Sequence, residues 1–329
     1  MTKIGTIGSG WAARVQTPLF KEVGFEVVNV KGHDWRALLD SDVELVTITS
    51  PPSEHLEMSK AFLERGKHVV SEKPTALNAR GAEELVAVAD AHPELIAIID
   101  HELRFLPAWR TARERIAEIG PIRYAEIRYA SPARGDRARE WTWWSDADRG
   151  GGILGAVGSH FADALRYFIG EIEQVQAMLA TIIDEREGKR VTADDFGSLN
   201  LRLAGGALGV MTLSAVASGP DERSMLTIHG ETHAMRFIGA EVLLAKRRES
   251  YIRLAGEEMP ELPGNSFGGA FGSGTLELAR ALKRALEDGD RSALAPAATF
   301  RDGLAQQRVL DAARRSSSNG GRWENVSND

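Results

Sequence analysis

The 329-residue chain contains no cysteine. Disulfides, cysteine-ligated zinc, iron–sulfur clusters and a thiol nucleophile are therefore excluded. It also lacks a basic excess. Lys and Arg total 40 against 47 Asp and Glu, a formal net charge of −7. No cationic field draws such a chain to nucleic acid or to an anionic membrane. No stretch approaches the roughly 18 uninterrupted apolar residues of a membrane span. The opening Met1-Thr2-Lys3-Ile4-Gly5 runs into an apolar segment without a signal-peptide pattern, so a cytoplasmic protein is expected. His68, His229 and His233 show no metal-ligand spacing and no H-E-x-x-H occurs, so no metal is expected.

What is present is an ordinary globular composition, 43% apolar and 26% charged. At roughly 150 residues per domain the length predicts two domains. The first 120 residues alternate apolar runs (4–7, 25–30, 43–49, 67–70 and 95–100) with amphipathic stretches (12–23, 35–40, 54–65 and 79–91). That alternation predicts a Rossmann-type, doubly wound parallel sheet. A helix over 107–119 closes it at Gly120-Pro121. Beyond it the grammar changes. Residues 122–130 alternate like a half-buried strand, and strands follow at 172–183, 195–203, 207–217 and 223–229. Shorter pieces lie at 233–238, 241–246 and 250–254, with helices at 157–168, 274–288 and 298–315 and a loop at 256–272. Consecutive strands without intervening helices predict an open, mainly antiparallel sheet. The expected fold class is α/β plus α+β, with a dinucleotide-binding domain over 1–119 and a substrate-binding and oligomerisation domain over 120–329.

Gly8-Ser9-Gly10-Trp11-Ala12-Ala13 fits G-x-G-x-x-A, directly after a strand and before a helix. Gly8 allows a tight turn, Gly10 a close approach to pyrophosphate, and Ala13 close helix–strand packing. The helix start supplies N–H donors to phosphate. The segment Gly8, Ser9, Gly10, Trp11 and Ala12 is thus read as cofactor-binding. The acid expected about 20 residues on is missing: the second strand ends in Val30-Lys31-Gly32-His33, and Asp34 reads as a helix N-cap. Lys31, His33 and Arg36 lean toward a 2′-phosphate and NADP; a solvated charged turn reads equally well. Ser50-Pro51-Pro52-Ser53-Glu54-His55 follows the third strand, where ligands of such sheets bind, with Ser53 as a possible N-cap. Ser71-Glu72-Lys73-Pro74 closes the fourth. A lysine there, in apolar surroundings, suits proton transfer.

Together these motifs resemble the glucose–fructose oxidoreductase/inositol dehydrogenase (Gfo/Idh/MocA) family of NAD(P)-dependent oxidoreductases. The resemblance rests on IGTIGSGWAAR at 4–14, TSPPSEH at 49–55, GKHVVSEKP at 66–74, LRFLP at 103–107 and GGGILGAVGSHFADALRYFIGE at 150–171. It implies hydride transfer between a nicotinamide cofactor and a hydroxyl or keto carbon of a sugar, polyol or related compound. By resemblance Lys73 is the catalytic lysine, often followed by a cis peptide at Pro74, and His160 is an acid/base. Asp163, one helical turn on, matches a position that binds substrate hydroxyls. Ser50, Pro51, His55 and Glu72 would flank the nicotinamide, and Arg104 would be a polar substrate contact. A homodimer or homotetramer through the C-terminal sheet is implied. Two features depart from the family pattern. Ala156 stands where an aspartate is frequent, and the helix and strand usual between the second strand and residue 43 are abbreviated. These departures motivate the alternative of a non-catalytic dinucleotide-binding sensor. The Trp141-Thr142-Trp143-Trp144 loop reads either as a sugar-stacking surface or as a lid packed on its own domain.

Overall fold

The computed structural model describes residues 1–220, 222–254 and 269–326. The predicted loop at 256–272 lies mostly outside them. The chain divides into two compact units, Met1–Arg110 with Glu257–Leu304, and Thr111–Gly256 with Ala305–Asp329.

The first unit is built on strands β1 (Lys3–Ile7), β2 (Glu26–Val30), β3 (Leu45–Ile48), β4 (His68–Ser71) and β5 (Ala97–Ile99), all parallel. A short antiparallel strand, β16 (Ala298–Thr299), completes the order β16-β5-β4-β3-β1-β2. Every residue of β3 is buried, as expected of a central strand covered on both faces. Side-chain alternation divides the core. Ile7, Val46, Ile48, Val69 and Ile99 face Met58 and Phe62 of α2 (Pro52–Leu63) and Leu85 of α3 (Ala79–Ala91). Ile4, Leu45, Val70 and Ile98 face Phe20 of α1 (Thr17–Val23) and Leu278 and Leu282 of α6 (Gly269–Glu287).

That second contact corrects the contiguous division at 119. Residues 269–304 pack on the first sheet. An amphipathic pattern says that a helix has an apolar face, not which sheet it covers. The expected helix at 107–119 is α4 (Pro107–Arg115) followed by a 3₁₀ turn, Ile116–Ile119. The expected helix at 12–23 opens as a π turn, Ala12–Gln16, before α1. The one at 35–40 is a 3₁₀ helix, Gly32–Leu38, so Asp34 sits in its first turn rather than at its N-cap. Likewise α2 starts at Pro52 with Pro51 as N-cap, which puts Ser53 inside the helix. A proline is pre-shaped for that first position and needs no side-chain cap.

The second unit holds a mainly antiparallel sheet in the order β15-β14-β13-β12-β6-β11-β10-β7-β17. Its strands are β6 (Ile122–Ala130), β7 (Ile172–Ala180), β10 (Phe196–Leu203), β11 (Leu208–Ser214), β12 (Glu222–Gly230), β13 (His233–Ile238), β14 (Glu241–Lys246), β15 (Ile252–Arg253) and β17 (Glu324–Asn325). Only β6 and β11 pair in parallel. A two-stranded ribbon, β8 (Glu185–Arg186) and β9 (Lys189–Arg190), stands apart. β7 stops at 180, short of the expected 183, because the Asp195 carboxylate takes the N–H groups of Ile182 and Ile183 at 2.7 and 2.8 Å. Toward the end of α7 (Phe300–Ser318), Ser316 and Ser317 accept from the Ala177 and Leu179 N–H groups and blunt the β7 edge. Among the described residues no helix is long and apolar enough to cross a membrane.

Candidate active site

β1 delivers the chain to Gly8, where φ is +137°. A Cβ there would stand 2.3 Å from Thr49 Oγ1. The turn is fastened from both neighbouring strands. The Gly8 N–H donates to Val30 O at 2.8 Å, Asn29 Nδ2 to Gly8 O at 3.1 Å, and Thr49 Oγ1 to Ile7 O at 2.8 Å. Gly10 is the opposite case: nothing lies within 4 Å of an added Cβ. Bare backbone facing open space beside a helix start is the cradle a dinucleotide pyrophosphate requires. The residues therefore fit a nicotinamide dinucleotide. Ala12 is fully buried, Ser9 is exposed, and Trp11 packs on Val15, Leu19 and Leu276.

His55 is enclosed. Its Nε2 lies 2.9 Å from Ser50 O and its Nδ1 2.9 Å from Pro74 O. The ring thus ties the 50–52 turn to the backbone after Lys73, rather than offering a nitrogen to a ligand. A neutral imidazole donates to only one of those carbonyls. Burial nevertheless lowers its pKa to about 4, against the pull of the Ser50 and Pro74 carbonyls and with help from the Lys73 charge.

Glu72 and Lys73 follow β4, and the Lys73–Pro74 peptide is cis. Lys73 Nζ lies 3.8 Å from Glu72 Oε2, and the two side chains are 18% and 14% exposed. On the neighbouring strand β5, Asp100 and Glu102 emerge at the same carboxyl edge, 0% and 3% exposed. Gln16 Nε2 donates to Asp100 Oδ2 at 2.9 Å, and Gln16 Oε1 accepts from Thr47 Oγ1 at 2.8 Å. Burial raises the Glu72 carboxyl, opposed by the Lys73 charge. Asp100 is driven well above the usual carboxylate range by burial and then by Glu72. Glu102 is driven up the same way by burial, Asp100 and Glu72. Among the described residues no group of three or more His, Asp or Glu is placed to hold a metal ion. Arg104, expected as a substrate contact, is 5% exposed, and its guanidinium reaches Asp302 at 3.4 Å and Pro296 O at 3.5 Å. Those partners make it a brace inside the first unit.

In the second unit His160 and Asp163 share α5 (Ser159–Phe168), which a π turn over Leu154–Gly158 precedes. They are 6% and 2% exposed. The glycine cluster before them is tightly seated. Cβ atoms at Gly151 and Gly152 would meet Trp144 O and Asp194 Oδ1, each at 2.5 Å. Asp194 Oδ2 accepts from the Leu154 N–H at 2.7 Å and so anchors the start of that helical run. The tryptophans serve their own unit. Arg134 stacks over Trp144 at 4.0 Å, and Trp141 Nε1 donates to Arg190 O at 3.0 Å.

The sequence motifs do not mark Gln16, Asp100, Glu102 or Asp194 as site residues. One signal was available for two of them: the apolar strand LIAII ends in Asp100-His101-Glu102 at the carboxyl edge where ligands bind. Gln16 and Asp194 carried none.

Residues 18–99 match the family described as oxidoreductase family, NAD-binding Rossmann fold, and residues 109–236 match the GFO/IDH/MocA C-terminal domain. An uncharacterized oxidoreductase of Synechocystis sp. is 34% identical over 203 residues, covering 59% of this chain. The chain spans 54% of that protein's length. Glucose-fructose oxidoreductase domain-containing protein 2 of Mus musculus is 28% identical over 363 aligned positions, covering 98% of this chain and 93% of the mouse protein. Among solved structures, levoglucosan dehydrogenase in complex with NADH and levoglucosan superposes with a TM-score of 0.86 at 23% identity, over 99% of this chain and 100% of the other. An inositol dehydrogenase homolog from Azotobacter vinelandii, complexed with NADH and myo-inositol, gives 0.80 at 18% identity, over 98% of this chain and 97% of that one.

Proposed function

The chain belongs to the Gfo/Idh/MocA family of oxidoreductases, and from that premise we propose that it moves hydride between NAD and a hydroxyl or keto carbon of a sugar, polyol or related compound. The observation that carries this reading is the company Lys73 keeps. The lysine, the open Gly10 backbone and the Ser50–Pro52 turn share the carboxyl edge of one parallel sheet, where a doubly wound fold receives its ligand. The levoglucosan and myo-inositol bound by two structural neighbours support a polyhydroxylated substrate.

When bound, the nicotinamide supplies the hydride acceptor or donor. The protein does the rest. The Gly8–Gly10 turn and the start of the Ala12 helix hold the pyrophosphate. Lys73 Nζ takes the hydroxyl proton in oxidation and returns it in reduction, with Glu72 beside it. His55 acts at one remove, fixing Ser50 and the backbone at Pro74. His160 and Asp163 are assigned to substrate handling by family resemblance.

The lean toward NADP finds no support in the geometry. Arg36 pairs with Glu57, and Glu54 Oε2 stands 3.9 Å from where a Gly32 Cβ would be. An acid that reaches from α2 to Gly32, just past β2, favours an unphosphorylated ribose, so NAD is the preferred form. The outward face of the second sheet exposes Tyr124, Met178, Leu208 and Val210, which supports self-association there.

A panel of sugars, polyols and sugar acids with NAD⁺ and NADP⁺, followed by nicotinamide absorbance, tests the activity. Cofactor binding without turnover of any substrate would favour the sensor reading, which Ala156 motivates.

A further inference from the structure

Three carboxyl groups and one ammonium crowd the carboxyl ends of β4 and β5. Asp100 and Glu102 are buried, and Glu72 is nearly so, with Lys73 Nζ 3.8 Å away. Gln16 fixes one oxygen of Asp100. The other oxygen, Asp100 Oδ1, is buried without a hydrogen-bond partner among the described residues, and so is Glu102 Oε2. Arg104, on the same turn as Glu102, is directed to Asp302 and Pro296 O. On α6, which packs on the Glu102 backbone at Gly274, Glu277 and Arg280 pair with each other. His55 is held between two carbonyls, and His101, between the two acids in sequence, is 2% exposed.

Three carboxylates facing one ammonium in a low-dielectric site cannot all be ionised, because adjacent like charges force one or more protons to stay. Lys73 balances one of them. The remaining carboxyls are held as acids, in line with the upward direction of Asp100 and Glu102.

We propose that Glu72, Asp100 and Glu102 form a proton store coupled to the charge of the nicotinamide, holding one proton fewer beside a cationic ring than beside a neutral one. The proposal rests on the nicotinamide reading above and says what the same site does with the reaction's proton. In oxidation the substrate C–H bond breaks and its electron pair leaves with the hydrogen as hydride to the nicotinamide. Lys73 hands its ammonium proton to the carboxylate of the trio and, as the O–H bond breaks, takes the hydroxyl proton in its place, and the carbonyl forms. The alcohol and NAD⁺ become the ketone and NADH, and the one proton left over stays in the store until the cofactor is exchanged. In reduction the store returns it. The trio thus gives Lys73 acidic partners within its own unit.

Calorimetric titration of the whole protein with NAD⁺ and with NADH, each in two buffers of different ionisation heat near neutral pH, reads the protons exchanged on binding. We expect release of a large fraction of about one proton with NAD⁺ and essentially none with NADH. Asp100→Asn and Glu102→Gln, which keep shape while removing the titrating group, should each shrink that difference at least about twofold while NADH affinity stays within about threefold. If one variant fails to fold, the other carries the test. Equal proton exchange with both cofactor forms, or an unchanged difference in the folded variants, overturns the store and leaves the oxidoreductase reading intact. Binding of neither form overturns both.

Discussion

Gln16 and Asp100, 84 residues apart, share a hydrogen bond of 2.9 Å in the buried edge of the first sheet. The amide's other end accepts from Thr47 at 2.8 Å, so one side chain links β3 to the acid that follows β5. Gln16→Leu leaves the Asp100 carboxyl and the Thr47 hydroxyl without that partner. A loss of about 1–3 kcal/mol is expected, read from urea midpoints. An unchanged midpoint would show that the bond contributes nothing.

The two glycines of the turn should separate stability from binding. Gly8→Ala places a Cβ against Thr49 Oγ1 at a φ of +137°, and should cost about 1–3 kcal/mol. Gly10→Val sets its Cβ in open space, so the thermal midpoint should hold while cofactor affinity falls at least about tenfold. Cofactor binding that survives Gly10→Val in the folded variant would remove the pyrophosphate assignment.

Lys73→Met and His160→Ala should each lower kcat by roughly 10²–10⁴, the usual worth of a general acid–base group, with cofactor binding largely kept. Lys73 should matter more, since Ala156 removes the acid that would tune His160. Near-full turnover in both variants on the true substrate rules the mechanism out.

Acid should expose His55. Its imidazole titrates near 6.5 in the unfolded chain and at about 4 in the fold. The unfolded state therefore binds more protons between those values. The stability from burying a neutral ring is complete above about pH 6.5 and is lost as pH falls toward about 4, on the order of 3 kcal/mol in all. The raised carboxyls nearby slope the other way, so the comparison is with His55→Gln, whose acid loss should be shallower. Parallel urea midpoints for the two proteins across that range would contradict it.

On the proposed preference for NAD, cofactor choice turns on Glu54, whose carboxylate stands near Gly32. NAD should bind at least about tenfold more tightly than NADP, and Glu54→Gln should narrow the gap. A protein indifferent to the 2′-phosphate, or one that prefers NADP, would show that this carboxylate does not face the ribose.

Much of this was legible in the residues. β1, β3, β4 and β5 declare themselves as apolar runs because both faces of their sheet are covered, and the glycine turn and Lys73 stand where the strand ends put them. What stayed hidden has a common cause. Gln16 reads as an interior helix position, and only the fold shows that its amide meets an acid from β5. Asp34 and Ser53 have good cap chemistry, yet each helix begins earlier, where Lys31 and Pro51 precede it. Arg104 has the look of a ligand contact until its partner, Asp302, is brought to it by a return of the chain nearly two hundred residues later.

That return has a consequence for synthesis. Leu278, Ala279, Leu282 and Ala285 of α6 cover the same sheet face as Ile4, Leu45, Val70 and Ile98, and β16 closes the edge beside β5. A nascent chain that has emerged only as far as residue 119 holds every parallel strand but leaves that face open to water. At about 5–20 residues per second the covering segment follows roughly 10–40 s later. Over that interval the half-made sheet is a surface for chaperones or for another nascent copy. The second unit, which needs residues beyond 304, cannot finish sooner, so both units become complete over the same final stretch of translation.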